Sequence, residues 1–373
     1  MNALLSDLVP LHAWSPKGNS SLLISGPCSA ESRKQILQSA HLLSQIKELD
    51  YLRAGVWKPR TRPNSFEGHG KPALEWLQEA MEETGIKTAV EVANGEHVEA
   101  ALKAGVSLLW VGARTTVNPF SVQEISDALS GVDVPVLVKN PISLDLNLWL
   151  GALERIHSAG IRKLGAVHRG FTSYDAHPYR NAPRWEIALQ LKGMVPHLPV
   201  ICDPSHIAGK RHLLKDVAQR ALDLAFDGLM IESHPNPEVA WSDAEQQIKQ
   251  TDLEAFLGAL IHRENKSEEQ VFLDRLHQLR LLIDSLDEDM LNLLERRLRV
   301  TEEIGRYKQE HNVTIFQLER WNEILSSRTR RAKELGLDPS FIHKFWMALH
   351  QEGIQVQARV MERGEEATAR VSG

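Results

Sequence analysis

The chain has 373 residues, of which 42% are hydrophobic and 25% charged, and its formal net charge is −6. This is the composition of a globular protein, and the length favours two domains. The negative balance gives no general attraction to nucleic acid or to an anionic membrane, so we expect neither partner and expect small-molecule substrates. No apolar run reaches the roughly 20 residues that a membrane-spanning helix needs. Only Cys28 and Cys202 are cysteines, and the N-terminus does not resemble a secretory signal, which predicts a cytoplasmic protein.

Proline usage divides the chain, because all but one of the 17 prolines lie at or before Pro237. Up to residue 262, short apolar or β-branched runs alternate with amphipathic segments, which is typical of a parallel sheet covered by helices. The runs are 22–25, 51–57, 87–92, 107–111, 134–139, 163–167, 200–202 and 228–232. Eight strands favour a closed (β/α)8 TIM barrel over residues 1–262, with a doubly wound open sheet as the alternative.

Residues 263–270 are predicted to be a linker, because the stretch ENKSEEQ contains no large apolar residue. From Leu273, apolar residues recur at alternating spacings of three and four, which indicates a long helix. Two further helices are predicted at 318–335 and 341–361. Residues 271–373 therefore form an all-α domain. One long helix cannot bury its whole apolar seam against two shorter ones, so we expect a homo-oligomer, at least a dimer, through this domain.

Polar side chains follow the predicted strands, where the C-terminal loops of a barrel place catalytic residues. Four of them offer metal ligands: Cys28 after the first strand, His206 after the seventh, and Glu232 and Asp243 at and beyond the eighth. One thiolate, one imidazole and two carboxylates suit Mn, Fe, Co or Zn better than Mg or Ca. Strands seven, eight and one are consecutive neighbours only in a closed barrel, so the metal site and the barrel support each other. Taken singly, each residue is also explained by packing or an ion pair.

Six basic residues belong to, or directly follow, strands that should be buried. They are Arg53, Lys58, Arg60, Arg114, Lys139 and Arg169. Buried cations are costly unless an anion neutralises them, and arginine forks match carboxylate and phosphate oxygens. We therefore predict a site for one carboxylate and two phosphates. The alternative is a set of internal salt bridges with Glu91, Asp203 and Glu232.

The motifs at these positions resemble those of 3-deoxy-D-arabino-heptulosonate 7-phosphate (DAHP) synthases of the compact type I beta group, over the whole barrel. They are GPCS at Cys28, KPRT at Lys58, GAR at Arg114, LVKNP at Lys139, DPSH at His206 and ESHP at Glu232. KPRT together with the cysteine differs from the pattern of the related 3-deoxy-octulosonate 8-phosphate synthases. The resemblance implies a divalent-metal-dependent condensation of phosphoenolpyruvate with erythrose 4-phosphate, with manganese as the favoured metal.

The same resemblance implies roles for the basic residues. Arg53 and Lys58, the latter also catalytic, would bind the phosphoenolpyruvate carboxylate; Arg114, Lys139 and Arg169 its phosphate; Arg60 and Thr61 the phosphate of erythrose 4-phosphate. The metal would polarise the aldehyde oxygen while C3 of phosphoenolpyruvate attacks the aldehyde. His168 stands where relatives often carry Glu, and a histidine there could orient the water that adds at C2.

In the helical region, Arg297 occupies a position in the apolar seam, which predicts a buried anion. Lys308 lies about three turns later on the same face, whereas Arg280 faces elsewhere, as expected of a helix that serves its own site and a partner's. Residues 274–358 resemble the AroQ class of chorismate mutases. The motif positions are Arg280, Arg297, Lys308, Arg320 and Gln357. The resemblance implies that the arginines bind the two carboxylates of chorismate. Lys308 and Gln357 would hydrogen-bond the ether oxygen, with Arg297, Lys308 and Gln357 as catalytic residues.

Two positions depart from the mutase pattern: Gln317 stands where many relatives have Asp, and Gly353 where some have Ser, which would weaken contacts to the ring hydroxyl. Three hypotheses remain. The chain is a bifunctional enzyme; or a synthase whose helical domain only senses prephenate or chorismate and dimerises; or an octulosonate-type synthase with an unrelated tail. The complete set of mutase residues and the KPRT motif favour the first. We also expect prephenate bound by the helical domain to inhibit the barrel. The net negative charge disfavours a nucleic-acid-binding role for the basic stretch 328–331.

Overall fold

The computed structural model describes residues 5, 7–58, 66–173, 177–264 and 266–371, with side chains described up to residue 363. The chain divides into two compact units, Met1–Asn265 and Lys266–Gly373. In the described ranges, no helix is long and apolar enough to cross a membrane. The domain limits drawn from the sequence at 262 and 270 stay predictions.

The first unit is built on eight parallel strands in chain order, and β1 also pairs with β8, which closes the sheet into a barrel. The strands are β1 Leu22–Gly26, β2 Tyr51–Arg53, β3 Thr88–Val92, β4 Leu108–Val111, β5 Val136–Lys139, β6 Leu164–His168, β7 Val200–Cys202 and β8 Gly228–His234. A two-residue strand, β9 Ile248–Lys249, extends the end of β8. The predicted (β/α)8 barrel is confirmed, and the open-sheet alternative is wrong.

Helices of the first unit cover the barrel and close its N-terminal end. They are α1 Leu11–Trp14, α2 Arg33–Leu43, α3 Lys71–Thr84, α4 Gly95–Lys103, α5 Ala113–Thr116, α6 Pro119–Ala128, α7 Leu146–Ser158, α8 Trp185–Met194, α9 Pro204–Ala208, α10 Leu214–Asp223 and α11 Leu253–Gly258. Strand β2 ends four residues before the predicted run does, at Arg53. The chain then passes close to the loop after β1, where a Cβ on Gly55 would lie 2.2 Å from the carbonyl oxygen of Cys28.

The barrel interior is a packed apolar core at its N-terminal end. Alternate strand residues point inward, among them Ile24, Val167 and Met230, and these pack with Leu11 and Trp14 of α1. A second apolar cluster fills the space between the strands and the outer helices. Because the N-terminal part of the barrel is filled by apolar side chains, polar side chains can contact a ligand only at the C-terminal ends of the strands.

The second unit consists of three helices, α12 Gln270–Glu310, α13 Leu318–Glu334 and α14 Pro339–Val371. Helix α14 begins where Asp338 accepts a hydrogen bond from the backbone N–H of Phe341 (2.8 Å) and Pro339 occupies the first turn. It ends ten residues beyond the predicted limit. Helices α12 and α14 pack closely at Gly305, where an added Cβ would lie 3.2 Å from the Cα of Gln357.

Candidate active sites

Three of the four predicted metal ligands converge at the C-terminal end of the barrel. The ligand atoms of Cys28, Glu232 and Asp243 all lie within 4.8 Å of one another. The Cys28 Sγ is 3.3 Å from Asp243 Oδ2. His206 is not part of this close group, but its Nε2 lies 3.8 Å from Glu232 Oε1. The closed barrel thus brings residues from three separate loops to one place.

The sequence after β7 explains how His206 is oriented. Asp203 caps α9 by accepting a hydrogen bond from the backbone N–H of His206 (3.1 Å), and Pro204 fits the first turn. The other carboxylate oxygen of Asp203 lies 2.8 Å from His206 Nδ1 and accepts a hydrogen bond from Lys139 Nζ (2.7 Å). An acidic partner on Nδ1 leaves Nε2 available as a ligand, which is how metal-binding histidines are usually held.

The charges in this cluster fit a bound cation. Burial, followed by the charge of Glu232, raises the pKa of the Cys28 thiol to about 12. A second carboxylate, Asp243, is kept ionised: burial opposes its charge, but Arg180 and other cations hold its pKa well below the usual range. Lys58 donates hydrogen bonds to the Cys28 Sγ (3.0 Å) and carbonyl oxygen (2.7 Å). Two carboxylates, an imidazole and a thiol are a donor set for Mn, Fe, Co or Zn, and such an ion would convert the thiol to a thiolate.

Hydrogen bonds between the loops after β1 and β8 hold the candidate ligands in place. The backbone N–H of Cys28 donates to Gln247 Oε1 (2.9 Å), and Gln246 Nε2 donates to Glu232 Oε2 (2.6 Å). The backbone N–H of Trp241 donates to Glu31 Oε1 (2.7 Å). These glutamines were not predicted, because they lie in the loop after β8, where no periodic pattern marks a contact.

Two of the predicted basic residues form internal ion pairs. Arg53 donates to Glu232 (2.9 Å) and Lys139 to Asp203 (2.7 Å), and all four side chains are buried. The ion-pair alternative is therefore correct for these two contacts. It does not account for the rest of Arg53, whose Nε and Nη1 are buried without a hydrogen-bond partner in the part of the chain that the structure describes. Buried donors left unpaired point to an additional anion.

Three arginines, Arg114, Arg169 and Arg180, lie near one another at the same end of the barrel. Arg169 donates to Asn181 Oδ1 (2.9 Å), and burial lowers its pKa to about 10, with Arg180 and Arg114 contributing in the same direction. Three guanidinium groups close together suit a dianionic phosphate. Arg180, in the segment between β6 and α8, was not predicted. It donates hydrogen bonds to Asp243 Oδ1 (2.9 Å) and Gln246 Oε1 (2.7 Å). Arg60 and Thr61 lie outside the described residues.

The expectation that His168 orients a water molecule is wrong. Its ring lies among four aromatic side chains between the barrel and the outer helices, with centroid distances of 5.1 to 6.4 Å. The reason is strand alternation: Val167 points into the barrel, so His168 points out. Burial lowers the pKa of His168 to about 3, so its imidazole is neutral and serves packing.

In the helical unit, three of the predicted mutase residues lie on α12 and α14, the two helices that pack against each other at Gly305. Arg297 and Lys308 lie on one face of α12, and Gln357 packs against that face at Gly305. A cavity of about 650 Å³ adjoins Lys308 and is lined also by Ile304, Tyr307 and Gln317. The Arg297 guanidinium lies 5.7 Å from the ring centroid of Trp346.

The cations of this site lack neutralising partners. Among the described side chains, no carboxylate forms an ion pair with Arg297 or Lys308, and burial lowers the pKa of both. Two other predicted residues lie differently. Arg320 is exposed and paired with Glu323 (2.6 Å), and Arg280 is exposed on α12. Uncompensated, partly buried cations suit an anionic substrate such as a dicarboxylate.

A closed barrel with candidate metal ligands and a cationic C-terminal face, followed by helices that carry a second cationic site, defines a two-domain class of metabolic enzymes. Sequence comparison gives the family: residues 13–269 match the DAHP synthetase I family, and residues 279–358 match chorismate mutase type II. The chain belongs to the DAHP synthetase I family and carries a chorismate mutase type II domain. Both resemblances are confirmed, and the hypothesis of an unrelated tail is wrong.

Individual relatives agree with this assignment. Phospho-2-dehydro-3-deoxyheptonate aldolase of Thermotoga maritima is 32% identical over 226 residues, 61% of this chain and 64% of that protein, so the chain spans less than two thirds of it. A crystal structure of DAHP synthase from Thermotoga maritima has a TM-score of 0.58 at 28% identity, covering 64% of this chain and 67% of that one. The 4-amino-4-deoxychorismate mutase of Streptomyces venezuelae is 33% identical over 90 residues, 24% of this chain and 87% of that protein.

Proposed function

We propose that the chain is a bifunctional enzyme of the shikimate pathway. Its barrel would condense phosphoenolpyruvate with erythrose 4-phosphate and water to DAHP and phosphate, and its helical unit would convert chorismate to prephenate. The observation that carries the first activity is the convergence of Cys28, Glu232 and Asp243 beside buried cations. The uncompensated cations Arg297 and Lys308 support the second over a helical unit that serves only as a sensor.

In the barrel, Cys28, His206, Glu232 and Asp243 would hold a divalent metal, with manganese as our first expectation. When bound, the ion supplies Lewis-acid polarisation of the aldehyde oxygen. The substrate-binding roles are assigned to the basic residues. Arg53 and Lys58 bind the carboxylate of phosphoenolpyruvate, for which the unpartnered nitrogens of Arg53 are available. Arg114, Lys139 and Arg169 bind its phosphate, and Arg60 and Thr61 bind that of the aldose. The same cations stabilise the negative charge on the phosphate that departs after water adds at C2.

The mutase reaction needs neither a nucleophile nor a metal. Arg297, Arg320 and a partner's Arg280 would hold the two carboxylates of chorismate in the compact conformer that rearranges. Lys308 and Gln357 would donate hydrogen bonds to the ether oxygen, on which negative charge grows. Arg297 and Lys308 lose solvation on burial. Their interaction with an anionic transition state is therefore stronger than it would be in water.

Removing the metal separates the two activities. Exhaustive chelation of the full-length chain is expected to abolish synthase activity, because the four ligands then hold no Lewis acid, and added Mn²⁺ is expected to restore it. Mutase activity in the same samples should not change. Both are measured spectrophotometrically, by consumption of phosphoenolpyruvate and of chorismate. Synthase activity that survives chelation would contradict the proposed metal, and a chain that does not consume chorismate would contradict the proposed mutase.

We further propose that α12 forms the dimer interface. Its N-terminal half exposes a row of apolar side chains: Leu279, Leu282, Ile283, Leu286 and Met290. Replacing Leu286, which is 54% exposed, by lysine is expected to shift the protein to monomers in analytical ultracentrifugation. Mutase activity should fall with it, because Arg280 would no longer reach a partner's site. Ser285→Lys adds the same charge beside the apolar row and should change neither the oligomeric state nor the mutase activity. If Leu286→Lys left the oligomeric state unchanged, this interface would be excluded.

Prephenate formed by the helical unit is proposed to inhibit the barrel. Binding at the mutase site would then be coupled to the synthase by a free energy that Arg297→Ala removes. Synthase rates of the full-length chain should therefore fall with prephenate, and rates of Arg297→Ala should not. A synthase rate that neither prephenate nor deletion of the residues after 265 alters would show that the coupling does not exist.

A further inference from the structure

Three polar atoms of the helical unit are buried without a hydrogen-bond partner among the described residues: Arg297 Nη1, Gln357 Oε1 and His350 Nε2. The first two belong to residues already placed in the mutase site. Buried polar groups are nearly always paired, so a set of unpaired ones in one region points to a ligand that pairs them. None of the proposed contacts to chorismate involves His350, the third residue of this set.

His350 lies on the same side of α14 as the mutase residues. It precedes Gln357 by seven residues, or about two helical turns, so the two side chains share a face. Gly353 lies on that face between them, and its Cβ position is 3.5 Å from Cγ2 of Thr301 on α12. Burial lowers the pKa of His350, and the charges of Arg297 and Lys308 lower it further, which places the ring within the field of both cations.

Aromatic contacts fix the ring of His350. It stacks on Trp321 of α13 with a centroid distance of 3.9 Å and an interplanar angle of 12°, and the ring of Phe316 lies 5.9 Å away. Stacking restricts the motion of the ring, so the unpartnered Nε2 is held in place before a ligand arrives. The imidazole is therefore preorganised for one hydrogen bond.

We propose that His350 Nε2 hydrogen-bonds the ring hydroxyl of the mutase substrate. The inference rests on the proposed mutase function. The substrate carboxylates are assigned to the arginines and the ether oxygen to Lys308 and Gln357, which leaves the hydroxyl. Gly353, where some mutases carry Ser, has no side chain to reach this group, and His350 lies one turn away on the same face. A neutral imidazole can donate to a hydroxyl or accept from it.

The test compares chorismate with 4-deoxychorismate, in which hydrogen replaces the ring hydroxyl, on the full-length chain. His350→Phe retains the stacking on Trp321 and removes the hydrogen bond, and we expect kcat/KM for chorismate to fall about 10-fold. His350→Gln can donate and accept, and should recover most of this loss. With 4-deoxychorismate, all three proteins should have the same kcat/KM. His343→Phe, at an exposed histidine of the same helix, is the matched control and should behave as wild type.

Equal losses with both substrates would show that His350 only supports the fold, and unchanged chorismate kinetics in His350→Phe would show that it makes no contact. Either result overturns the inference while the mutase function stands. Failure of the wild-type chain to consume chorismate overturns the proposed function itself, and the assignment of His350 with it. Thermal unfolding midpoints of the variants show whether a loss accompanies a weakened fold.

Discussion

Replacing Cys28 by alanine is expected to lower synthase activity by more than about 100-fold and to leave mutase activity unchanged. The thiol lies with Glu232 and Asp243 in one buried group, so its removal deletes a donor that no neighbour replaces. Activity is measured with saturating Mn²⁺ and the metal content by elemental analysis, because a lost ligand lowers both. The loss of metal and the loss of synthase activity both concern the barrel unit only.

The matched control is Cys202→Ala. Cys202 is equally buried, but it lies in β7 within the outer apolar cluster, so its loss changes packing without changing the ligand set. We expect this variant to keep its metal and its synthase activity. If Cys28→Ala retained both, Cys28 would be a packing residue. If it lost the mutase activity as well, the two sites would not be separable.

The convergence of the candidate ligands was predictable because a closed barrel has a fixed neighbour order. Cys28 follows strand one, His206 follows strand seven and Glu232 lies in strand eight, and any chain that closes eight strands must bring those ends together. Strand alternation would also have placed His168 correctly, since Val167 and His168 cannot both point inward. The sequence therefore already contains the signal for the outward orientation of His168.

Other parts of the barrel site could not be predicted from the sequence. Arg180, Gln246 and Gln247 lie in the loops after β6 and β8, and their contacts depend on how these loops and the loop after β1 pack together rather than on any repeat. The sequence likewise does not show whether a cation at a strand end pairs with a carboxylate or keeps nitrogens available for a ligand, because this depends on distances between side chains in the folded chain. Arg53 does both: one nitrogen bonds Glu232 and two have no partner in the described chain.

In the helical unit, the sequence marks a charged residue more clearly than a neutral ring. A cation within an apolar seam is costly to bury, so the position of Arg297 in the sequence already indicates a bound anion. A histidine on a helix face fits packing equally well, and only the stacking on Trp321 and the unpartnered Nε2 distinguish His350. Helix lengths were less well predicted, because α14 continues to Val371 through residues that carry no apolar periodicity.

Replacing Arg297 by alanine is expected to lower mutase activity by about 100-fold to 1000-fold, the cost of removing one preorganised donor from a developing or bound anion. Synthase activity measured without prephenate should not change. Arg296→Ala is the matched control, because Arg296 is the exposed neighbour on α12, whereas Arg297 is half-buried against Trp346. Equal effects of the two substitutions would mean that the helix surface as a whole attracts the substrate. A specific loss in Arg297→Ala, together with the reciprocal loss in Cys28→Ala, requires two chemically independent sites on one chain.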